Sequence, residues 1–329
     1  MSWLVTGGAG YIGLHVVDAL RSAGHDVVVV DDLSTGRADL VDVPLITGSV
    51  QDAELLRAAI REHDVRGVIH LAAKKQVGES VERPFHYYRE NVDGLLTLLE
   101  VMRETGVDVL VFSSSAAVYG MPDVEFVTES TPTAPLSPYG ETKLVGEWLT
   151  RAAATAHGLR FALLRYFNVA GAGRPELADT GVTNLIPMVF QRLAAGVPPL
   201  LFGDDYPTPD GSCVRDFIHV ADLARAHVAA LDHLAAGGEN LLLNIGRGEG
   251  ASVREVLAMV ADVTGLPTDP EVLPRRAGDP ARVVASGDRI RESLEWSAAY
   301  DLRQMVTSAW EGWQAARSGE QNGPGPAAR

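Results

Sequence analysis

The sequence predicts an α/β protein: a doubly wound parallel sheet with a smaller C-terminal region added to it. Short apolar runs alternate with helical patterns through the first half, and a glycine-rich turn joins the first run to the first helix. After Asn168 this rhythm breaks into Gly/Pro-rich segments separated by shorter helices. Strands that must be covered on both faces read as unbroken apolar runs, and their parallel connection needs a helix between them.

In order, the runs at 3–6, 27–30 and 68–71 read as strands, with helices over 11–23 and 53–63 between them. A long helix is expected over 86–104, a strand at 109–113, a helix over 139–157 opened by Ser137-Pro138, and a strand at 161–166 that completes the sheet. Residues 1–168 therefore form a dinucleotide-binding unit and 169–317 mainly a substrate-binding region. The Gly/Pro/Ala-rich stretch 318–329 reads as a disordered tail, because it has too little apolar surface to offset the entropy of ordering it.

Composition narrows the class. A chain of 329 residues with 46% hydrophobic and 22% charged residues is that of a globular protein with a sizeable core, and no apolar run is long enough to span a bilayer. The net charge of −15 repels phosphate backbones and argues against a nucleic-acid partner. Cys213 stands alone, so no internal disulfide forms; the first motif glycine is already at Gly7, and a cytoplasmic location is expected.

The stretch "LVTGGAGYIG" places Gly8-x-Gly10-x-x-Gly13 between a strand and a helix. Small residues let the backbone approach a pyrophosphate, whose charge the free N–H groups of the helix start favour. Asp31-Asp32 ends the second strand where a carboxylate accepts from a ribose 2′-hydroxyl. That pair points to NAD over a 2′-phosphorylated dinucleotide, with Arg37 on a solvated loop. In "SPYGETK", Tyr139 and Lys143 lie four residues apart and share one face of a helix. An ammonium beside a phenol of ordinary pKa about 10, together with a cationic nicotinamide, is expected to lower that value and make a general base. Ser113, Ser114 and Ser115 end a strand at the sheet edge where ligands bind, so Ser115 can pass a proton between a substrate hydroxyl and the phenolate. No His, Cys, Asp or Glu spacing suggests a metal site.

"TGGAGYIG", "SSSAAVYG" and "SPYGETK" together resemble the extended short-chain dehydrogenase/reductase family, over about residues 2–312. "KKQVGESVERPFHYYRENVDG", "RYFNVAG", "LFGDDYPTPDGSCVRDFIHVADL" and "PRRAGD" are similar to its branch of UDP-hexose 4-epimerases. The resemblance implies a catalytic set of Ser115, Tyr139 and Lys143. For NAD it implies Gly7, Gly10, Tyr11, Ile12, Gly13, Asp31, Asp32, Ser49, Val50, Leu71, Ala72, Ala73, Lys75, Asn91, Ser113, Tyr139, Lys143 and Tyr166. For the UDP-sugar it implies Asn168, Asn184, Leu185, Phe202, Arg215, Arg276 and Asp279, with Phe202 against the uracil and the two arginines on the diphosphate. It also implies a homodimer formed through the helices around 86–104 and 139–157.

The implied chemistry oxidises C4 of the hexose, lets the 4-keto sugar turn, and returns the hydride to the opposite face. Three residues depart from the family pattern: Ala117 for threonine, Ser49 for aspartate and Phe217 for tyrosine. A 4,6-dehydratase needs a carboxylic acid after Ser115, where Ala116 and Ala117 stand, and a sensor that only binds dinucleotide has no use for the three catalytic residues together. Val283 falls where, in the family, a small side chain leaves space for a 2-acetamido group.

Overall fold

The computed structural model describes residues 1–321 except Ala277. Strand β1 (Ser2–Thr6) is buried along its whole length, pairing in parallel with β2 (Asp26–Asp31) and β4 (Val65–His70). Helix α1 (Tyr11–Ser22) joins the first two strands; β3 (Leu45–Thr47) and α2 (Ala53–Glu62) follow, with Asp52 accepting from the Glu54 and Leu55 N–H groups to start α2. Beyond β4, α3 (Val77–Glu82) precedes a helical stretch made of α4 (Pro84–Tyr88), a wide π turn at Arg89–Asp93, and α5 (Gly94–Thr105). The predicted long helix is thus present but interrupted, and the interruption carries Asn91. Strand β5 (Val109–Ser115), helix α6 (Pro138–His157) and β6 (Arg160–Tyr166) complete the order β6-β5-β4-β1-β2-β3, all parallel.

Alternate residues of each strand feed two separate cores. Val5, Val29 and Val111 pack with α1 residues Val16, Val17 and Leu20 on one face, while Leu4, Val28 and Leu110 meet Leu56, Leu95 and Leu98 on the other. Chain order reverses between β1 and β4, which opens a crevice at their carboxyl ends.

The remaining elements are β7 (Asn168–Ala170), α7 (Leu185–Ala194), β8 (Leu200–Phe202), β9 (Val214–His219), α8 (Val220–Ala235), β10 (Leu241–Ile245), β11 (Gly250–Ser252), α9 (Val253–Thr264), β12 (Glu271–Leu273), β13 (Arg282–Val283), α10 (Asp288–Leu294) and α11 (Leu302–Gln321). Two corrections to the sequence reading follow. The sheet does not end at β6: β10 pairs with it in parallel as a seventh strand, burying Leu241, Leu243 and Ile245 in the core shared by α1 and α8. An apolar edge left bare at β6 would invite intermolecular pairing, and residues 220–245 cover it. The tail also begins later than expected, since α11 continues to Gln321; residues 322–329 lie outside the described residues.

The C-terminal region has its own apolar cluster, in which Ile186, Val189 and Phe190 of α7 pack against Val256, Leu257, Met305 and Val306. The Phe190 ring lies 5.1 Å from that of Trp310 and 6.0 Å from that of Trp313. Phe217 is buried in the same cluster, so its departure from tyrosine places no hydroxyl in an apolar interior. Among the described residues no helix is long and apolar enough to cross a membrane.

Candidate active site

A cavity of about 500 Å³ lies over the carboxyl ends of β1, β2 and β4. Gly7, Gly10, Tyr11, Ile12, Gly13, Asp31, Asp32, Ser49, Val50, Leu71, Ala72, Ala73, Lys75, Tyr139, Lys143 and Tyr166 all line it. Each glycine has its own reason. Gly7 adopts φ +73°, and a Cβ there would come within 2.6 Å of Ala72 N. Gly8 packs on β2, where a Cβ would stand 2.7 Å from Val29 Cγ2, so the cavity-facing glycines of this loop are Gly7, Gly10 and Gly13, with Gly8 serving the fold. Gly10 precedes α1 without any side-chain cap, leaving the first N–H groups of that helix available to an anion. These features fit a dinucleotide pyrophosphate.

The two acids at the end of β2 have different tasks. Asp31 is buried and accepts from the N–H groups of Ala9 at 3.0 Å and Leu33 at 2.8 Å; burial raises its pKa despite those bonds. Asp32 is more open: burial works against its charge, yet Ser34 and Lys74 together hold its pKa below the ordinary value. Lys74 Nζ stands 3.5 Å from Asp32 and 2.8 Å from Ser34 Oγ. Lys74 and residues 177–181 also line the cavity, and the sequence reading passed over both. Lys74 stands directly before Lys75, the lysine that the family resemblance singles out, and the loop carries no motif. Arg37, which also lines the cavity, forks onto Asp39 at 2.9 and 2.7 Å in an exposed pair.

Asn91 and Ser113, also expected at the cofactor, are buried and hydrogen-bonded to neighbouring residues. Asn91 accepts from Lys74 N at 2.8 Å and donates to Lys74 O and Thr142 Oγ1, both at 3.0 Å, tying the cavity wall to α6. Ser113 receives the Lys143 ammonium on its carbonyl at 2.8 Å, while its hydroxyl bonds the buried His227 at 2.8 Å.

Helix α6 starts where Ser137 accepts from Gly140 N and Pro138 takes the first position. Tyr139 and Lys143 project from one face towards the end of β5, as their spacing predicts. Burial lowers the Lys143 pKa to about 8. Burial also raises the Tyr139 phenol above its ordinary value, with the Ser115 hydroxyl pulling the other way. The ammonium lies 6.0 Å from the Tyr139 ring centre and is turned to a carbonyl, so the loss of water dominates; the expected lowering needs the nicotinamide charge as well.

Residues expected to hold the substrate fall on the C-terminal region. Arg215 of β9 pairs with Asp279, and Val283 of β13 is its register partner. The Arg276 guanidinium stacks 3.7 Å above the Phe202 ring. Asn168 lies on β7 opposite Phe217, and Asn184 precedes α7, its amide donating to Asp179 at 2.6 Å. Leu185 opens α7 and packs into the C-terminal cluster. Val283 is a half-buried strand residue against the cluster of Val118, Tyr119 and Phe167 that follows β5 and β6.

Residues 3–246 match the model of the NAD dependent epimerase/dehydratase family. The chain belongs to that family. It is 49% identical to the UDP-glucose 4-epimerase of Azospirillum brasilense, a match covering 99% of this chain and 96% of that protein. The crystal structure of UDP-glucose 4-epimerase from Brucella ovis in complex with NAD superposes with a TM-score of 0.91 at 41% identity, covering 94% of this chain and 98% of that one. The Stenotrophomonas maltophila UDP-glucose 4-epimerase with bound NAD and formylated UDP-arabinopyranose gives 0.92 at 41%, covering 97% and 99%.

Proposed function

We propose that this protein interconverts UDP-glucose and UDP-galactose by NAD-dependent inversion at C4. The observation that carries the reading is the placement of Tyr139 and Lys143 on the wall of the same cavity as the glycine loop, in a chain nearly half identical to such an epimerase. The loop of Gly7, Gly10 and Gly13 would hold the NAD pyrophosphate and Asp31 with Asp32 its adenosine ribose. When bound, NAD would supply a reversible two-electron acceptor and a positive charge.

Tyr139 takes the proton of the sugar 4-hydroxyl, directly or through Ser115, and gives it back after the sugar has turned. That added charge opposes the burial that holds the phenol high, while Lys143 remains anchored on Ser113. On substrate binding Arg215 would turn its planar fork from Asp279, and Arg276 its own from the Phe202 ring, to the diphosphate, and that ring would take the base, so binding energy is concentrated on UDP. The hexose is left with few partners and can rotate. Ala116 and Ala117 offer no acid for dehydration at the same site. The deciding experiment incubates purified protein with UDP-galactose and no added reductant: equilibration with UDP-glucose is expected, and tight binding without conversion would identify a sensor.

NAD is expected to co-purify, because the carboxylates of Asp31 and Asp32 at the end of β2 disfavour a 2′-phosphate. Release of mainly NADP on denaturation would reverse this assignment. Val283 should leave room for a 2-acetamido group, so wild type is expected to act on UDP-N-acetylglucosamine. Val283→Tyr should lose that substrate by about one to two decades in rate and keep UDP-glucose. Equal loss of both substrates would mean that Val283 shapes only the packing around β13.

The exposed Val81, Phe85, Leu96 and Trp148 lie on helices α3 to α6 and suit burial against a second copy of the chain, in a cytoplasmic homodimer. Light scattering should give twice the mass of one chain; a monomer mass would refute the dimer.

A further inference from the structure

Glu147 and Arg165 form an ion pair behind the site that the proposed reaction does not use, with side chains only 1% and 4% exposed. Glu147 follows Lys143 by four residues, as Lys143 follows Tyr139, so the three side chains project from one side of α6. Glu147 Oε1 accepts from Ser114 Oγ at 2.6 Å and from Arg165 Nε at 2.7 Å, and Oε2 accepts from Arg165 Nη2 at 2.5 Å. Ser114 and Arg165 are register partners on β5 and β6, and the next pair along is Ser115 with Tyr166. Arg165 Nη1 continues to the Tyr119 hydroxyl at 3.0 Å, which donates to Asn244 Oδ1 of β10 at 2.6 Å.

One carboxylate thus receives bonds from two adjacent strands at the level just below the reacting groups. Stability alone does not call for charge here, since an apolar pair of similar volume in such a position often holds a fold as well or better. Apolar contacts are non-directional, and a helix can slide or roll on them at small cost. A forked carboxylate–guanidinium contact fixes both distance and angle. Lys143 and Tyr139 stand about 6 Å and about 12 Å along the helix from this point, within the reach of a rigid rod.

We propose that Glu147 and Arg165 are positioning residues, setting the height and rotation of α6 on β5 and β6 so that Lys143 meets Ser113 and Tyr139 meets Ser115. The kinetic consequence rests on the epimerase reading above; the structural one does not. The test compares wild type with the apolar double variant Glu147→Leu/Arg165→Met and the single variant Glu147→Gln, by crystal structure, thermal melting and kinetics on UDP-galactose.

The double variant is expected to melt at or above the wild-type temperature, to lose the Lys143–Ser113 contact, and to lower kcat about ten- to a hundredfold with KM unchanged, the usual cost of misplacing reacting groups by about 1 Å. A folded double variant with the Lys143–Ser113 spacing and kcat of wild type overturns the proposal. Should the double variant fail to fold, Glu147→Gln decides in the same way, by whether kcat falls without a change in KM. Wild type that leaves UDP-galactose untouched would remove the epimerase reading, and the Lys143–Ser113 spacing in the variants would still decide this one.

Discussion

Tyr139→Phe is expected to lower turnover of UDP-galactose by at least about a hundredfold while leaving NAD bound, the scale of losing a general base. The ring is 7% exposed and stays packed, so the substitution removes only the hydroxyl. Among the described residues the Ser115 side chain acts on that hydroxyl, so the change in stability should stay near about 1 kcal/mol. Lys143→Met differs in kind: it also strips the ammonium from the Ser113 carbonyl and should weaken the cofactor together with the rate. Wild-type kcat in Tyr139→Phe would remove this residue from the reaction, whatever its effect on melting.

Gly13→Ala is expected to yield protein without NAD and with a melting point several degrees lower. An added Cβ would fall on Gly7 O and lie 2.7 Å from Gly8 Cα and 2.8 Å from Gly8 C. All three atoms are backbone, so no side chain can swing away and α1 must retreat from the loop that it should close. Overpacking of this sort costs about 1–3 kcal/mol, and the retreat also moves the helix start away from the anion that it serves. Gly78→Ala is the control: nothing lies within 4 Å of its added Cβ and its φ is ordinary, so melting and NAD content should not change. Normal NAD content in Gly13→Ala would show that the cofactor does not depend on the tight approach of α1.

The apolar runs at 27–30 and 68–71 were legible because strands covered on both faces need no alternation, and the phenol and ammonium of Tyr139 and Lys143 because helical geometry puts i and i+4 on one face. Strand β10 was missed although "LLLNI" is as apolar as any central strand. It pairs with β6 across some 75 intervening residues, and no local pattern states which distant edge a strand will join. Lys74 was passed over for a related reason: its ammonium meets Asp32 and Ser34 only once β2 and β4 lie in one sheet.

By itself the sequence determined the order of strands and helices as far as β6, the glycines of the tight turn into α1, and the placement of Tyr139 and Lys143 on one helix face, since each depends on residues close along the chain. Tertiary structure alone decided the state of those groups. Burial pushes the Tyr139 phenol up and draws Lys143 down to about 8, because desolvation depends on everything packed around a group and not on its neighbours in sequence. It also decided that Glu147, one more turn along the same face, ends on Ser114 and Arg165 and not in the cavity. The helix repeat carries a side chain to a face, and only the strands lying against that face determine what it meets there.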